Sequence, residues 1–324
     1  MAVDEAAARV SAPRAAHAHP PHKVPFLVRL RNDSPLLLMV APAVIVLLLF
    51  TYIPLLGSAV AFMDYVPFLG FTGSEWVGFD NFTALFQDSA FWSALSNTLQ
   101  ITFLQLVLFF PLPILLAVLL NAVALPLARR FVQSVIYLPH FLSWVIIVAL
   151  FQQILGGAGV VNRFLLTHGL SAIDVMSNPS TFKLLLTMQG IWKDAGWGTI
   201  IFLAAIAAID PGLYESAVID GASAWRRFVH VTLPGMRPII ILMLILRLGD
   251  SLTVGFEQIL LQRDAVGPGA AEVLDTYVYY HGVVDGSWGT ATAAGLLKGV
   301  VSLLLVLLAN KLAHKLGEEG VYQR

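Results

Sequence analysis

The sequence predicts an all-α polytopic membrane protein with six transmembrane helices and a polar helix-turn-helix loop between two of them, on three observations. Hydrophobic residues make up 58% of the 324 residues and charged residues only 12%; a soluble domain carries about a quarter charged residues, so most of this chain has no water to face. Six apolar runs approach the roughly 20 residues a helix needs to cross a bilayer. The Lys and Arg residues fall almost entirely in alternate connecting segments, thirteen in one set and three in the other. That asymmetry orients the helices, because basic loops stay on the cytoplasmic side. The chain has no cysteine, which excludes disulfides and thiolate chemistry. A net charge of −1 gives no basic footprint for nucleic acid.

Residues 1–34, rich in Ala, His and Pro with Arg9, Arg14, Lys23, Arg29 and Arg31, predict a disordered cytoplasmic tail. His17, His19 and His22 lie there at loose spacing and are read as solvated, with no metal site expected. The six-helix domain is expected over 35–315, with runs at Leu36 to Met63, Leu99 to Leu125, Val132 to Leu155, Gly190 to Ile209, Ile239 to Leu261 and Thr290 to Asn310. Pro42, Pro54, Pro111, Pro113 and Pro139 predict kinks rather than breaks, since neighbouring helices can satisfy freed carbonyls. The first outside loop has no Lys or Arg but eight Phe or Trp residues between Phe68 and Trp92. Such aromatics suit the membrane interface, and a short helix is expected over Asn81 to Asn97; a dock for a binding protein is the sharper reading. The fourth run is short: Gly196 to Ile209 spans only ~21 Å at 1.5 Å per residue. Either the span also includes Gly190 to Ala195 or the helix is broken, and Gly190, Gly196 and Gly198 would permit an interruption there. Residues 316–324 are a short cytoplasmic C-terminal tail.

The polar loop runs over 210–238. Asp210 can cap a helix with Pro211 at its first position, where a missing N–H is harmless. That helix should end near Asp220, Gly221 should turn the chain, and Ser223 should cap a second short helix carrying Trp225 and Phe228 on one face, stopped at Leu233-Pro234. Glu215, Ala217, Gly221 and Leu233-Pro234 resemble the signature loop of ABC importer permeases, in which glycine follows glutamate by six residues and Leu-Pro closes the motif. Ser216 replaces the usual alanine and Val231 the commoner isoleucine. The stretches 131–144, 255–261, 275–279 and 294–301 look like the oligosaccharide and polysaccharide-fragment branch of the carbohydrate-uptake permeases.

The resemblance implies a permease of the bacterial cytoplasmic membrane, both termini cytoplasmic, importing carbohydrate by alternating access. It implies as partners a second permease subunit, two ATPase subunits and an extracytoplasmic solute-binding protein. The coupling residues it assigns are Glu215, Ser216, Ala217, Asp220, Gly221, Leu233 and Pro234, set on an ATPase cleft. No phosphate-binding G-x-x-x-x-G-K-[ST] loop or catalytic constellation occurs in the chain. It is therefore expected to be non-catalytic and cofactor-free, with ATP held by its partners.

Polar residues inside a membrane are costly and usually face a pathway. The candidates are Trp192 and Trp197, Arg247 and Asp250, Phe256, Glu257 and Gln258, and Lys298. Amides and carboxylates with aromatic rings suit sugar binding. Arg247 and Asp250, three apart on one helix face, would also suit a simple ion pair, and Lys298 could pair with an acid on a neighbouring helix. Two rivals stay open: an ion-coupled carrier using Asp250, Glu257 or Lys298, and an importer permease for a non-sugar solute.

Overall fold

The computed structural model describes residues 33–315 with Gly317, Gly320 and Val321. Residues 1–32 of the tail expected over 1–34, with its histidines, and most of the 316–324 tail lie outside the described residues. Among the described residues the fold is helical apart from one ribbon, in which Met63–Asp64 pairs antiparallel with Glu75–Trp76. Among the described residues, five helices are long and apolar enough to cross a membrane: Ser34–Phe62, Ser89–Ala122, Trp144–Thr167, Ala224–Gly249 and Trp288–Lys315. The remaining span, fourth in chain order, is Phe182–Ala207, which meets the same test only together with Pro211–Ile219, to which it is bent by 69°. Its Lys183, Gln189 and Lys193-Asp194 lower its hydropathy.

By backbone contacts, the described residues up to Gly57 form one unit and those from Ser58 onward another. Within the first unit, the helical segments from Ser34 to Leu56 bury no residue. A helix apolar on every side suits lipid or another membrane helix. Within the second, three clusters form the core. Phe91, Ala94, Leu274, Tyr277 and Ala293 pack together beside the ribbon. Phe182, Leu186, Val254, Ile259 and Val273 form the middle cluster. Ala117, Phe202, Ile206 and Met236 close the bundle near the Asp210 loop.

The prolines act locally in a recurrent way. Pro54, Pro111 and Pro234 each stand two residues after a π-helical turn, at Leu48–Tyr52, Gln105–Phe109 and Phe228–Thr232. In each case the N–H just before the proline reaches back five residues, as from Leu233 to the Phe228 carbonyl. The wider turn moves the backbone that the proline ring would otherwise strike. Leu233-Pro234 therefore does not stop the helix, contrary to expectation: one helix runs from Ala224 through the π turn to Gly249. The fifth span begins and ends earlier than Ile239 to Leu261. An irregular stretch follows Gly249, and Gly255, at φ +80°, starts the short Phe256–Leu260 helix.

Of the two readings of the fourth span, the one that includes Gly190 to Ala195 is found, and the permitted interruption is not. Phe182–Ala207 is continuous over 26 residues, ~39 Å at 1.5 Å per residue. The third span is broken instead: Pro126–Tyr137 passes into a 3₁₀ turn at Leu138–Phe141, and Ser143 caps the new helix Trp144–Leu155 by accepting from the Ile146 N–H at 3.4 Å. A Cβ on Gly196 would lie 2.0 Å from the Ile136 carbonyl oxygen, so the glycine lets two backbones touch rather than opening its own helix.

The aromatic segment folds beside the bundle end that carries Gly289. Phe62 stacks on Trp76 with centroids 5.6 Å apart and meets Phe79 edge-on at 5.4 Å. The short helix expected over Asn81 to Asn97 is two elements, Asp80–Gln87 and the start of Ser89–Leu104. Asp88 divides them by accepting from the Ala90 N–H at 2.8 Å. Asp88 Oδ2 also accepts from the Tyr277 hydroxyl at 2.6 Å. Burial and that carboxylate hold the Tyr277 phenol well above its ordinary pKa.

Candidate functional site

At one end of the bundle, residues 210–235 build a rigid arm. Asp210 Oδ1 accepts from the Gly212 N–H at 2.9 Å, and Pro211 opens the helix Pro211–Ile219. Gly221 takes φ +73°. Its N–H reaches the Val218 carbonyl at 3.0 Å while that of Ala222 reaches Ala217 at 2.8 Å, the paired bonds of a glycine-terminated helix. Ser223 then accepts from the Arg226 N–H at 3.3 Å. The limbs are tied by Tyr214 Oη and Thr232 Oγ1, 3.0 Å apart. Trp225 and Phe228 share a face, their rings 5.4 Å apart. Glu215, Ser216 and Asp220 are exposed, with Ala217 half-buried between the limbs. Leu213, Val218, Ile219 and Trp225 also lie open, Ile219 at 86%. An exposed apolar tip on a capped, cross-tied helix pair is the form of a docking surface.

A second feature lies within the bundle, a cavity of about 210 Å³. The second span contributes Gln105 and Phe109, the two ends of its π turn. Thr187, Gly190 and Asp194 come from the fourth and Arg247 from the fifth. Trp144 and the stretch holding Thr253, Gly255 and Gln258 complete it. Arg247 Nη2 donates to Gln105 Oε1, and its guanidinium lies 5.6 Å from the Phe109 ring centre. The expected pairing with Asp250 is not made. Asp250 caps the helix end, is exposed, and is not among the acids in ion-pair reach of any described base.

Gln258 is the most constrained residue of the lining. Its Nε2 donates to the Leu186 carbonyl at 3.0 Å and to Gln189 Oε1 at 2.8 Å. Gln262 Nε2 donates to the same Gln189 oxygen at 3.0 Å. All three glutamines are buried, and the network satisfies amides that water cannot reach. On the cavity's other flank, Asp194 Oδ1 is held at 2.8 Å by His140 Nδ1, whose ring stacks on Trp197 at 4.4 Å. Lys193 donates to the carbonyls of His140 and Leu142, which the broken third span leaves free.

Of the predicted path residues, the cavity therefore gathers Arg247 and Gln258. Trp192 packs edge-on to Phe151 at 5.9 Å, Trp197 serves His140, and Phe256 packs against Tyr279 at 5.5 Å. Glu257 is exposed outside the lining. Lys298 forms an ion pair with Asp275, the partnering expected as its simpler role. Sequence reasoning missed Gln105, whose signal was an amide alone in the run Ile101 to Leu120, and left Asp194 unchosen beside Trp192.

Residues 109–317 match the family described as binding-protein-dependent transport system inner membrane component. The chain is 47% identical over 298 residues to the polygalacturonan/rhamnogalacturonan transport system permease protein YteP of Bacillus subtilis (strain 168), covering 92% of this chain and 93% of that protein. It is 30% identical to the arabinooligosaccharides transport system permease protein AraP of the same organism, over 87% of this chain and 90% of the relative. Among solved structures it superposes with TM-score 0.84 and 39% identity on a chain of a bacterial alginate ABC transporter in complex with an alginate pentasaccharide-bound periplasmic protein. That match covers 91% of this chain and 99% of the other.

Proposed function

The chain belongs to the family of binding-protein-dependent transport system inner membrane components and is a permease subunit of a carbohydrate ABC importer; within that role, we propose that the Gln105–Arg247 cavity is the cargo passage and the Asp210 arm the seat of an ATPase subunit. One observation carries the proposal. The two helices that leave the arm, Phe182–Ala207 and Ala224–Gly249, are continuous, and both reach the cavity, through Thr187, Gly190 and Asp194 on one and Arg247 on the other. A displacement of the arm thus reaches two cavity walls without crossing a flexible linker. ATP binding in the partner subunits would close them, carry the arm with them and switch the cavity between the two sides of the membrane.

On this reading the assembly holds a second permease, two ATPase subunits and an extracytoplasmic solute-binding protein, with both termini and the arm in the cytoplasm. The chain itself carries no catalysis, and ATP belongs to the partners. Membership of the family takes the place of the ion-coupled carrier, and the structure occupies Lys298 with Asp275. Uptake of labelled oligosaccharide by the reconstituted importer tests the proposal. Uptake should require ATP inside with an intact ATPase subunit, and should fall about tenfold or more in Gln105→Ala, which removes the Arg247 partner. Uptake that persists without ATPase would overturn the mechanism, and unchanged uptake in Gln105→Ala would move the passage elsewhere.

A further inference from the structure

We infer that the end of the bundle opposite the arm carries a seat for an anionic phospholipid, with Lys183 taking the headgroup phosphate and a groove on the second span taking an acyl chain. The groove, of about 440 Å³, is lined by Ser96, Leu99, Gln100, Phe103 and Leu104 of the second span and Lys183 of the fourth. None of these residues lines the Gln105–Arg247 cavity. The polar rim is a chain of donors. Lys183 Nζ donates to Gln100 Oε1 at 2.7 Å, and Gln100 Nε2 donates to Ser96 Oγ at 3.0 Å. An ammonium has three donors and an amide nitrogen two, so the rim keeps N–H groups of Lys183 and Gln100 and the Ser96 hydroxyl proton for a ligand. Among the described residues no acid stands within ion-pair distance of Lys183, and no neighbouring charge acts on it. A rim of donors around an unpaired cation suits an anion.

Depth decides which anion. Lys183 is the second residue of the 26-residue helix Phe182–Ala207, ~36 Å from its arm end at 1.5 Å per residue. The hydrocarbon core of a bilayer is about 30 Å thick. With the arm end of the helix at one face, Lys183 stands at headgroup level on the other. From that level the second span runs toward Ala117, which packs in the cluster near the arm. Along it Leu99, Phe103 and Val107 are exposed by 50%, 65% and 50%, and a spacing of four keeps them on one helix face. A soluble phosphate would meet Lys183 and leave this stripe unused. A phospholipid meets both, its phosphate on the ammonium and its chain along the stripe. Gln100 fixes the ammonium over the mouth of the groove, where a lysine with no such partner would extend into water.

The test uses the whole importer in nanodiscs of phosphatidylcholine and phosphatidylglycerol in equal parts, and counts by mass spectrometry the lipids that stay with the extracted complex. The ratio of phosphatidylglycerol to phosphatidylcholine retained should be about fivefold higher in wild type than in Lys183→Gln, the preference one basic residue supplies at a membrane surface. Lys183→Arg should keep the wild-type ratio, and Phe103→Ala should lower retention of both lipids. Taking the ratio within each variant cancels differences in assembled complex. A photoreactive p-benzoylphenylalanine in place of Phe103 should cross-link to lipid. The inference is overturned if Lys183→Gln keeps the wild-type ratio, or if Lys183→Arg loses it as the glutamine variant does. Unchanged retention in Phe103→Ala would leave only a surface anion site and overturn the lipid seat. Cross-linking from position 103 to a protein would overturn it as well, and would make the groove a protein interface.

Discussion

At the scale of single residues, the closest backbone contact and the most connected amide give opposite kinds of sensitivity. Gly196 lies under the Ile136 carbonyl, where any Cβ would come within 2.0 Å of a backbone oxygen. A backbone oxygen cannot swing aside as a side chain can. Gly196→Ala is therefore expected to cost about 3 kcal/mol or more, at the upper end of overpacking effects. Thermal unfolding in detergent should show this as a lower midpoint and a smaller folded yield. Gln258→Ala removes the donor that serves both Leu186 and Gln189 and should destabilise by about 1–3 kcal/mol. Glu257→Ala, one residue away but exposed, should stay within about 0.5 kcal/mol of wild type. Equal midpoints for the two variants would mean the glutamine network bears no load.

At the scale of elements, the arm is a device whose parts are local and whose effect is not. Gly221 at φ +73° admits a branched side chain only at a cost of about 1–2 kcal/mol. That is too little to unfold the bundle and enough to open the bond pair that joins the limbs. Gly221→Val should leave the permease in the membrane while lowering both the amount of ATPase subunit retained on purification and the uptake. Glu215→Lys, reversing a charge on the exposed face of the first limb, should do the same by like-charge or unpaired contacts. If both variants hold ATPase and transport as wild type does, the arm is only a connector.

At the scale of the whole molecule, the absence of cysteine makes the orientation directly measurable. Single cysteines are best placed at Thr72, Ala224 and Ser287. Each is exposed, whereas Ser74 accepts from the Val66 N–H and donates to Gly70, and Ser223 caps a helix. Asn81 lies against Gly289, which puts the 72 and 287 segments at one end of the bundle. With the arm in the cytoplasm, an impermeant thiol reagent should label positions 72 and 287 in intact cells and position 224 only after permeabilisation. Labelling at 224 in sealed cells would reverse the orientation and remove the arm from the ATPase side.

Features that neighbours along the chain decide could be read before any packing was known. Asp210, Pro211, Gly221 and Ser223 act within three or four residues, so their caps and turn were legible and are found where they were read. The apolar runs were legible for the same reason, since lipid acts on each residue of a span alike. The tertiary structure alone decided where those runs break, bend and end. The glycines of the fourth span look like a weak point until Ile136, sixty residues earlier, is laid across Gly196. Leu233-Pro234 looks like a stop until a π turn absorbs the proline and lets packing on Ala205, Ile206 and the sixth span carry the helix onward. Arg247 was visible as a polar residue in an apolar run, and its near neighbour Asp250 was the natural partner to assume. Its actual partner, Gln105, is 142 residues away, because a half-buried guanidinium donates to the acceptor that packing offers rather than to the charge that is nearest in sequence.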